Sequence, residues 1–208
     1  MALISIQKIS DDVLLGLWRI EETIEDFYSR YPFLQVYRKE LEEKYKFEGR
    51  QKEFLSIHAL LFEMTHDDNL RIEHLPSGKP TLKGWQLSIS HTKGFAVLIL
   101  SQTRPVAVDI EYLSERVNKI AHKFIRPDET AVDTMSRLVH WSVKETVYKY
   151  FSDEDLQYFE MRLRDITSDK CKVENLKTKK TVEAKFVINS SFVLSYLYLS
   201  IPFEEGNS

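Results

Sequence analysis

Apolar and polar positions alternate through residues 2–9 (ALISIQKI), the period-two pattern of a strand. Residues 10–29 open on Ser10-Asp11-Asp12, side chains suited to a helix cap. Leu14, Leu15, Leu17 and Trp18 then supply the apolar face of a predicted helix. Pro32 breaks that run, and a charged amphipathic helix is expected from Phe33 to Lys46. After Gly49, the set Phe54, Ile57, Leu60, Leu61 and Met64 recurs at helical intervals and predicts a strong helix from Arg50 to Met64. His66–Asn69 is a polar turn, Arg71–Leu75 a short strand, and Pro76-Ser77-Gly78-Lys79-Pro80 a loop. Two strands, Gln86–Ser90 and Phe95–Ser101, are joined by His91-Thr92-Lys93-Gly94, a connection of hairpin length. Val106–Glu111 is a further strand. Helix is expected over 116–124 and over most of 127–151, with Pro127 in a first turn. Ser152-Asp153-Glu154-Asp155 reads as the solvent-facing cap of a short helix, and three strands follow over 171–176, 181–188 and 192–200.

The stretches LSISHTKGFAVLILS and FVINSSFVLSYLYLS both read strand, polar turn, strand, and a long helix precedes each. That echo predicts an α+β fold of two similar halves related by a pseudo-two-fold, residues 1–103 and 104–208, with the boundary at Gln102–Pro105.

Composition narrows the function. The 208 residues are 43% apolar, enough for one large domain or two smaller ones. A net charge of −3 speaks against a general polyanion binder, nucleic acid included, so any anion site must be a local basic pocket. No apolar run reaches the ~18 residues a membrane helix requires. The lone Cys171 rules out an intramolecular disulfide and a cysteine zinc site, and is read as packing. A soluble cytoplasmic protein is expected.

Chemistry concentrates in two stretches. In WSVKETVYK, residues four apart share a helix face, which puts Trp141, Glu145 and Lys149 in one column. An ordinary surface ion pair accounts for Glu145 and Lys149; so does a metal ligand or base beside a phosphate-binding cation. In VAVDIEY, Asp109 and Glu111 project to one side of a strand while Val108 and Ile110 face the core. Two such carboxylates repel unless a cation lies between them, and Mg²⁺ or Mn²⁺ is the natural oxygen-liganded partner. A solvated strand face is the competing explanation, and convergence of Glu145 on the pair would exclude it. Gly78-Lys79-Pro80 combines a close backbone approach with a point charge for phosphate, and Ser90-His91 offers a hydroxyl and an imidazole at a strand end.

In this order the motifs resemble those of the 4′-phosphopantetheinyl transferase superfamily, in its two-halved single-chain (surfactin-synthetase-activating) form. The marks are Gly78-Lys79-Pro80, Ser90-His91, Asp109-Ile110-Glu111, and Trp141-Ser142-Val143-Lys144-Glu145 with Lys149. Gly49-Arg50-Gln51-Lys52-Glu53-Phe54-Leu55 is similar to the family's basic N-terminal helix, so the likeness spans about residues 49–151. The resemblance implies coenzyme A in the cleft between halves. Lys79, Ser90 and His91 would hold its 3′-phosphate with help from Arg50, the Pro80 backbone would lie near adenine, and Lys144 and Lys149 would lie along the phosphates. Asp109, Glu111 and Glu145 would hold Mg²⁺. Glu145 would take the proton of a serine on an apo acyl or peptidyl carrier protein, and Lys149 would stabilise the leaving adenosine 3′,5′-bisphosphate. A basic carrier-docking face is expected at Arg116, Lys119 and Lys123, and a monomer suffices if the cleft forms within one chain. The chain departs from the family at His58 (commonly Arg), Ser88 (Asn), Ala107 (Gly) and Thr146 (Ala). The rival readings are a non-catalytic coenzyme A or carrier-binding module and a metal-dependent phosphohydrolase.

Overall fold

A computed structural model describes residues 3–199. The chain opens with strands β1 (Leu3–Ser10) and β2 (Val13–Arg19), then helices α1 (Ile24–Arg30), α2 (Arg38–Lys44) and α3 (Glu48–Thr65). Short strands β3 (Glu73–His74) and β4 (Pro80–Thr81) flank the Gly78 loop, and β5 (Gln86–Thr92), β6 (Phe95–Ser101) and β7 (Val106–Tyr112) follow. Then come α4 (Arg116–Ile120), α5 (Thr134–Tyr150), β8 (Met161–Arg164), β9 (Lys170–Asn175), β10 (Lys180–Ile188) and β11 (Phe192–Tyr198). The fold is mixed α+β.

Two sheets meet face to face. One has the order β1-β2-β6-β5, the other β7-β11-β10-β9-β8, each antiparallel throughout. Val13, Leu15, Leu17, Val97 and Ile99 of the first sheet interlock with Val106, Val108, Ile110, Phe192 and Leu194 of the second. On its outer face the first sheet is covered by α1 and α3, where Trp18, Phe27, Leu55, Leu60 and Leu98 are buried. The second sheet is covered by α5 through Ala107, Val139, Val143, Val147 and Val193. The layers therefore run helices, sheet, sheet, helix.

Three expectations need correction. Residues 10–29 are not one helix. Asp12 accepts hydrogen bonds from Ser101 (2.7 Å) and Thr103 and pairs with Arg104 at 2.8 Å, so it anchors a hairpin turn instead of capping a helix. Val13–Arg19 is thereby committed to a strand, and the helix starts only at Thr23, which forms a reciprocal cap with Asp26. Pro127 does not begin a helix either: α5 starts after Asp133, whose carboxylate caps Ser136. Ser152–Asp155 caps nothing; the turn at Tyr158–Glu160 is closed by Gln157 and Glu160, while Glu154 binds Asn175 and Lys180. Strand β8 is an addition to the expected set.

Candidate active site

Strand β7 packs directly against α5, and this contact assembles the site. Strand alternation sends Val108 and Ile110 into the core between the sheets, so Asp109 and Glu111 share the opposite face, beneath α5. From α5, Trp141, Glu145 and Lys149 come down on that face as their four-residue spacing requires. Asp109, only 4% exposed, accepts from Lys149 Nζ at 2.8 Å and from Ser90 Oγ at 2.9 Å. Lys149 also donates to the Val108 carbonyl at 3.0 Å. Glu111 accepts from the Trp141 indole N–H at 2.7 Å, and Glu145 accepts from the Tyr158 hydroxyl.

Burial, then the charges of Asp109 and Glu145, push the Glu111 carboxyl up to about 7. Burial likewise raises Glu145, with Asp109 adding to the effect. The three carboxylates thus feel one another electrostatically. As placed, each is turned to its own donor, and among the described residues no three acidic, His or Cys side chains close into a metal shell. The donor set nonetheless suits a hard divalent cation. Asp109 Oδ2 is buried with no hydrogen-bond partner, and a cation would relieve both that orphaned oxygen and the mutual repulsion.

Edge strands β5 and β7 are joined through side chains. Ser88 Oγ accepts from Val108 N (3.2 Å), Ser90 Oγ donates to Asp109, and Thr92 Oγ1 accepts from Tyr112 N (3.1 Å). Alternation along β5 therefore separates Ser90 from His91. Ser90 belongs with Asp109, whereas His91 Nδ1 faces the Glu53 carboxylate at 3.4 Å, and Glu53 also accepts from Arg50 at 2.8 Å. Arg50 and His91 line a cavity of about 230 Å³ over Phe54 and His58. Burial lowers the His91 imidazole and depresses that of His58 to about 4.

Lys79 stands elsewhere again. Its Nζ donates to Ser152 Oγ at 2.8 Å, beyond the end of α5. With Pro80, Lys149 and Tyr150 it lines a second cavity of about 450 Å³, and Ile89 lies in the wall of both. The expected phosphate set is thus divided between two adjoining hollows.

Lys144 is the clear correction. It is fully buried and its ammonium is consumed by Glu129 (2.7 Å) and the carbonyls of Phe124 (2.6 Å) and Tyr158 (3.3 Å). It cannot lie along a ligand's phosphates. The departures noted in the sequence are locally compensated: Thr146 Oγ1 bonds to Ser195 Oγ at 2.6 Å, and Ala107 packs against α5. Sequence reasoning passed over Glu53, Glu129 and Tyr158, each in a stretch whose pattern marks only helix or loop.

The family model for the 4′-phosphopantetheinyl transferase superfamily (ACPS) matches residues 105–197. The matched segment, a little under half of the chain, is similar to that superfamily. No curated protein matches the chain significantly. The matched segment contains β7, α5, the three carboxylates, Lys149 and Tyr158. Arg50, Lys79, Pro80, Ser90 and His91 lie outside it.

Proposed function

We propose that the protein transfers the 4′-phosphopantetheine arm of coenzyme A to a serine hydroxyl of an apo acyl or peptidyl carrier protein, releasing adenosine 3′,5′-bisphosphate. The observation that carries this reading is the meeting of Asp109, Glu111, Glu145 and Lys149 between β7 and α5, inside the segment that matches the transferase superfamily.

Lys79, Arg50 and His91 supply positive or donor groups for the nucleotide phosphates on the side of the first sheet. Lys149 spends two of its three donors on Asp109 and the Val108 carbonyl and has the third to turn toward the pyrophosphate. Mg²⁺ or Mn²⁺ held by Asp109, Glu111 and Glu145 would supply charge neutralisation at the pyrophosphate. Glu145, its carboxyl raised by burial, is suited to accept the serine proton as the serine oxygen bonds to the β-phosphorus. The bond from that phosphorus to the bridging oxygen breaks, and the bridging oxygen leaves on the adenosine bisphosphate.

The acceptor approaches along a groove of about 230 Å³ that begins at Glu111 and Trp141 and runs over Val117 and Leu138 to Arg116. Its apolar floor and the Arg116 guanidinium at its end suit an acidic helical carrier. Both walls of the site come from one chain, which favours a monomer. No helix among the described residues is long and apolar enough to cross a membrane, and a cytoplasmic location agrees with a carrier-protein substrate.

The test is release of adenosine 3′,5′-bisphosphate from coenzyme A with and without a panel of apo carriers. Carrier-dependent release by the wild type, abolished in Glu145→Ala with coenzyme A binding retained, is expected. Release without any carrier would favour a phosphohydrolase. Tight binding with no release would favour a binding module.

A further inference from the structure

The two outer carboxylates of the site are each held by an aromatic donor. Trp141 donates to Glu111 and Tyr158 to Glu145, and the two rings lie 5.2 Å apart, with Phe124 5.0 Å from Trp141 on the other side. This cluster of tilted rings, Phe124, Trp141 and Tyr158, is itself clamped. Lys144 Nζ donates to the carbonyls of both end residues, Phe124 and Tyr158. Its counterion Glu129, fully buried with it, also accepts from the backbone N–H groups of Leu163 (2.7 Å) and Arg126 (2.9 Å). The turn that carries Tyr158 is closed from outside by the reciprocal cap of Gln157 and Glu160. The Tyr158 hydroxyl is therefore delivered to Glu145 by a ring cluster, a buried ion pair and a cap, each independent of Glu145.

We propose that Tyr158, held in place by the buried Lys144–Glu129 pair, is a positioning residue that sets the divalent-cation affinity of the site by fixing Glu145. The inference rests on the reading of Asp109, Glu111 and Glu145 as a cation site. The hydroxyl occupies Glu145 Oε1, which orients the carboxylate and leaves Oε2 for a cation. It also draws charge from one member of a mutually repelling trio. Hydrogen-bond donors behind carboxylate ligands act in this way, and their loss typically weakens metal binding about 10–100-fold. In this light Lys144 is present in the helix beside Glu145 to hold the scaffold behind the carboxylates, not to touch coenzyme A.

Tyr158→Phe removes the hydroxyl and keeps the ring in its cluster. Mn²⁺ titration of the full chain, read by the loss of the free-ion electron paramagnetic resonance signal, should show binding about tenfold weaker in Tyr158→Phe than in the wild type. Coenzyme A affinity in EDTA should stay within about twofold, since Tyr158 is placed against Glu145, Trp141 and Lys144 and not in either hollow that holds Arg50, His91 or Lys79. Equal Mn²⁺ affinity in the two proteins overturns the positioning role while leaving the cation site standing. Absence of Mn²⁺ binding in the wild type overturns both. Parallel loss of Mn²⁺ and metal-free coenzyme A binding would show that the hydroxyl merely supports the fold, and would also overturn the role.

Discussion

His58 shows how a single residue ties stability to pH. It lies 4% exposed against Phe54 and Tyr37, its Nδ1 bonded to the Phe54 carbonyl and its Nε2 unpartnered. Burial depresses its imidazole from 6.5 to about 4, and the nearby Arg71 and His74 reinforce the shift. The unfolded chain takes up a proton near pH 6.5 that the folded protein refuses until about pH 4. Stability is therefore full above pH 6.5 and is lost as pH falls through that window, by about 3 kcal/mol in all. His58→Phe should flatten the decline between pH 7 and 4.5 in urea unfolding; an unchanged slope would clear His58 of this role. Cys171, buried and pushed up to about 12, is inert packing, as its place in a strand suggests. At this scale the sequence was legible where a period decides direction. Alternation paired Asp109 with Glu111, and helical spacing set Glu145 above Lys149. It misled where two neighbours diverge: Lys144 adjoins Glu145 in the chain, yet a rotation of one helical step carries it into the core. Its partner Glu129 lies in a loop that the pattern painted as helix.

At the scale of elements, β2 illustrates why a run of leucines is ambiguous. VLLGLWR fits a helix face as well as a doubly buried strand, and the answer comes from Asp12, whose partners Ser101, Thr103 and Arg104 lie some 90 residues away. Gly16 records the outcome. A Cβ there would meet Met64 Sδ at 2.6 Å and Leu60 Cδ1 at 2.8 Å, so glycine lets α3 settle onto the sheet. Gly16→Val should destabilise the protein by about 1–3 kcal/mol through overpacking, measured by denaturant unfolding. Wild-type stability would mean that the helix can lift without loss. The Lys144–Glu129 pair makes a sharper demand on α5. Lys144→Met leaves Glu129 charged and buried, and should cost about 3–5 kcal/mol, with part of the loss restored in the Lys144→Met/Glu129→Gln double variant. A double variant no better than the single one would show that the ammonium acts through its carbonyl contacts instead.

Over the whole molecule, the site lies where the edge strands β5 and β7 of the two face-packed sheets run side by side, with α5 closing it from above. The α+β class could be read from the chain because strands and helices alternate with clear punctuation. The face-to-face stacking of the sheets could not, since β6 is apolar and buried along its whole length and shows no alternation to tell one face from the other. The matched segment carries the carboxylates, while Arg50 lies on α3, Lys79 in the β3–β4 loop and His91 on β5, so the proposed coenzyme A site draws on both parts of the chain. Lys79→Ala should weaken coenzyme A several-fold more than 3′-dephospho-coenzyme A in calorimetric titrations. Equal weakening would place Lys79 away from the 3′-phosphate.

Transfer can be read off by intact-mass spectrometry of an apo carrier protein incubated with the protein, coenzyme A and Mg²⁺. A carrier heavier by one phosphopantetheine arm is expected, with no gain in EDTA or with Asp109→Ala. A carrier unchanged in mass across acyl and peptidyl types, with coenzyme A bound, would contradict transfer.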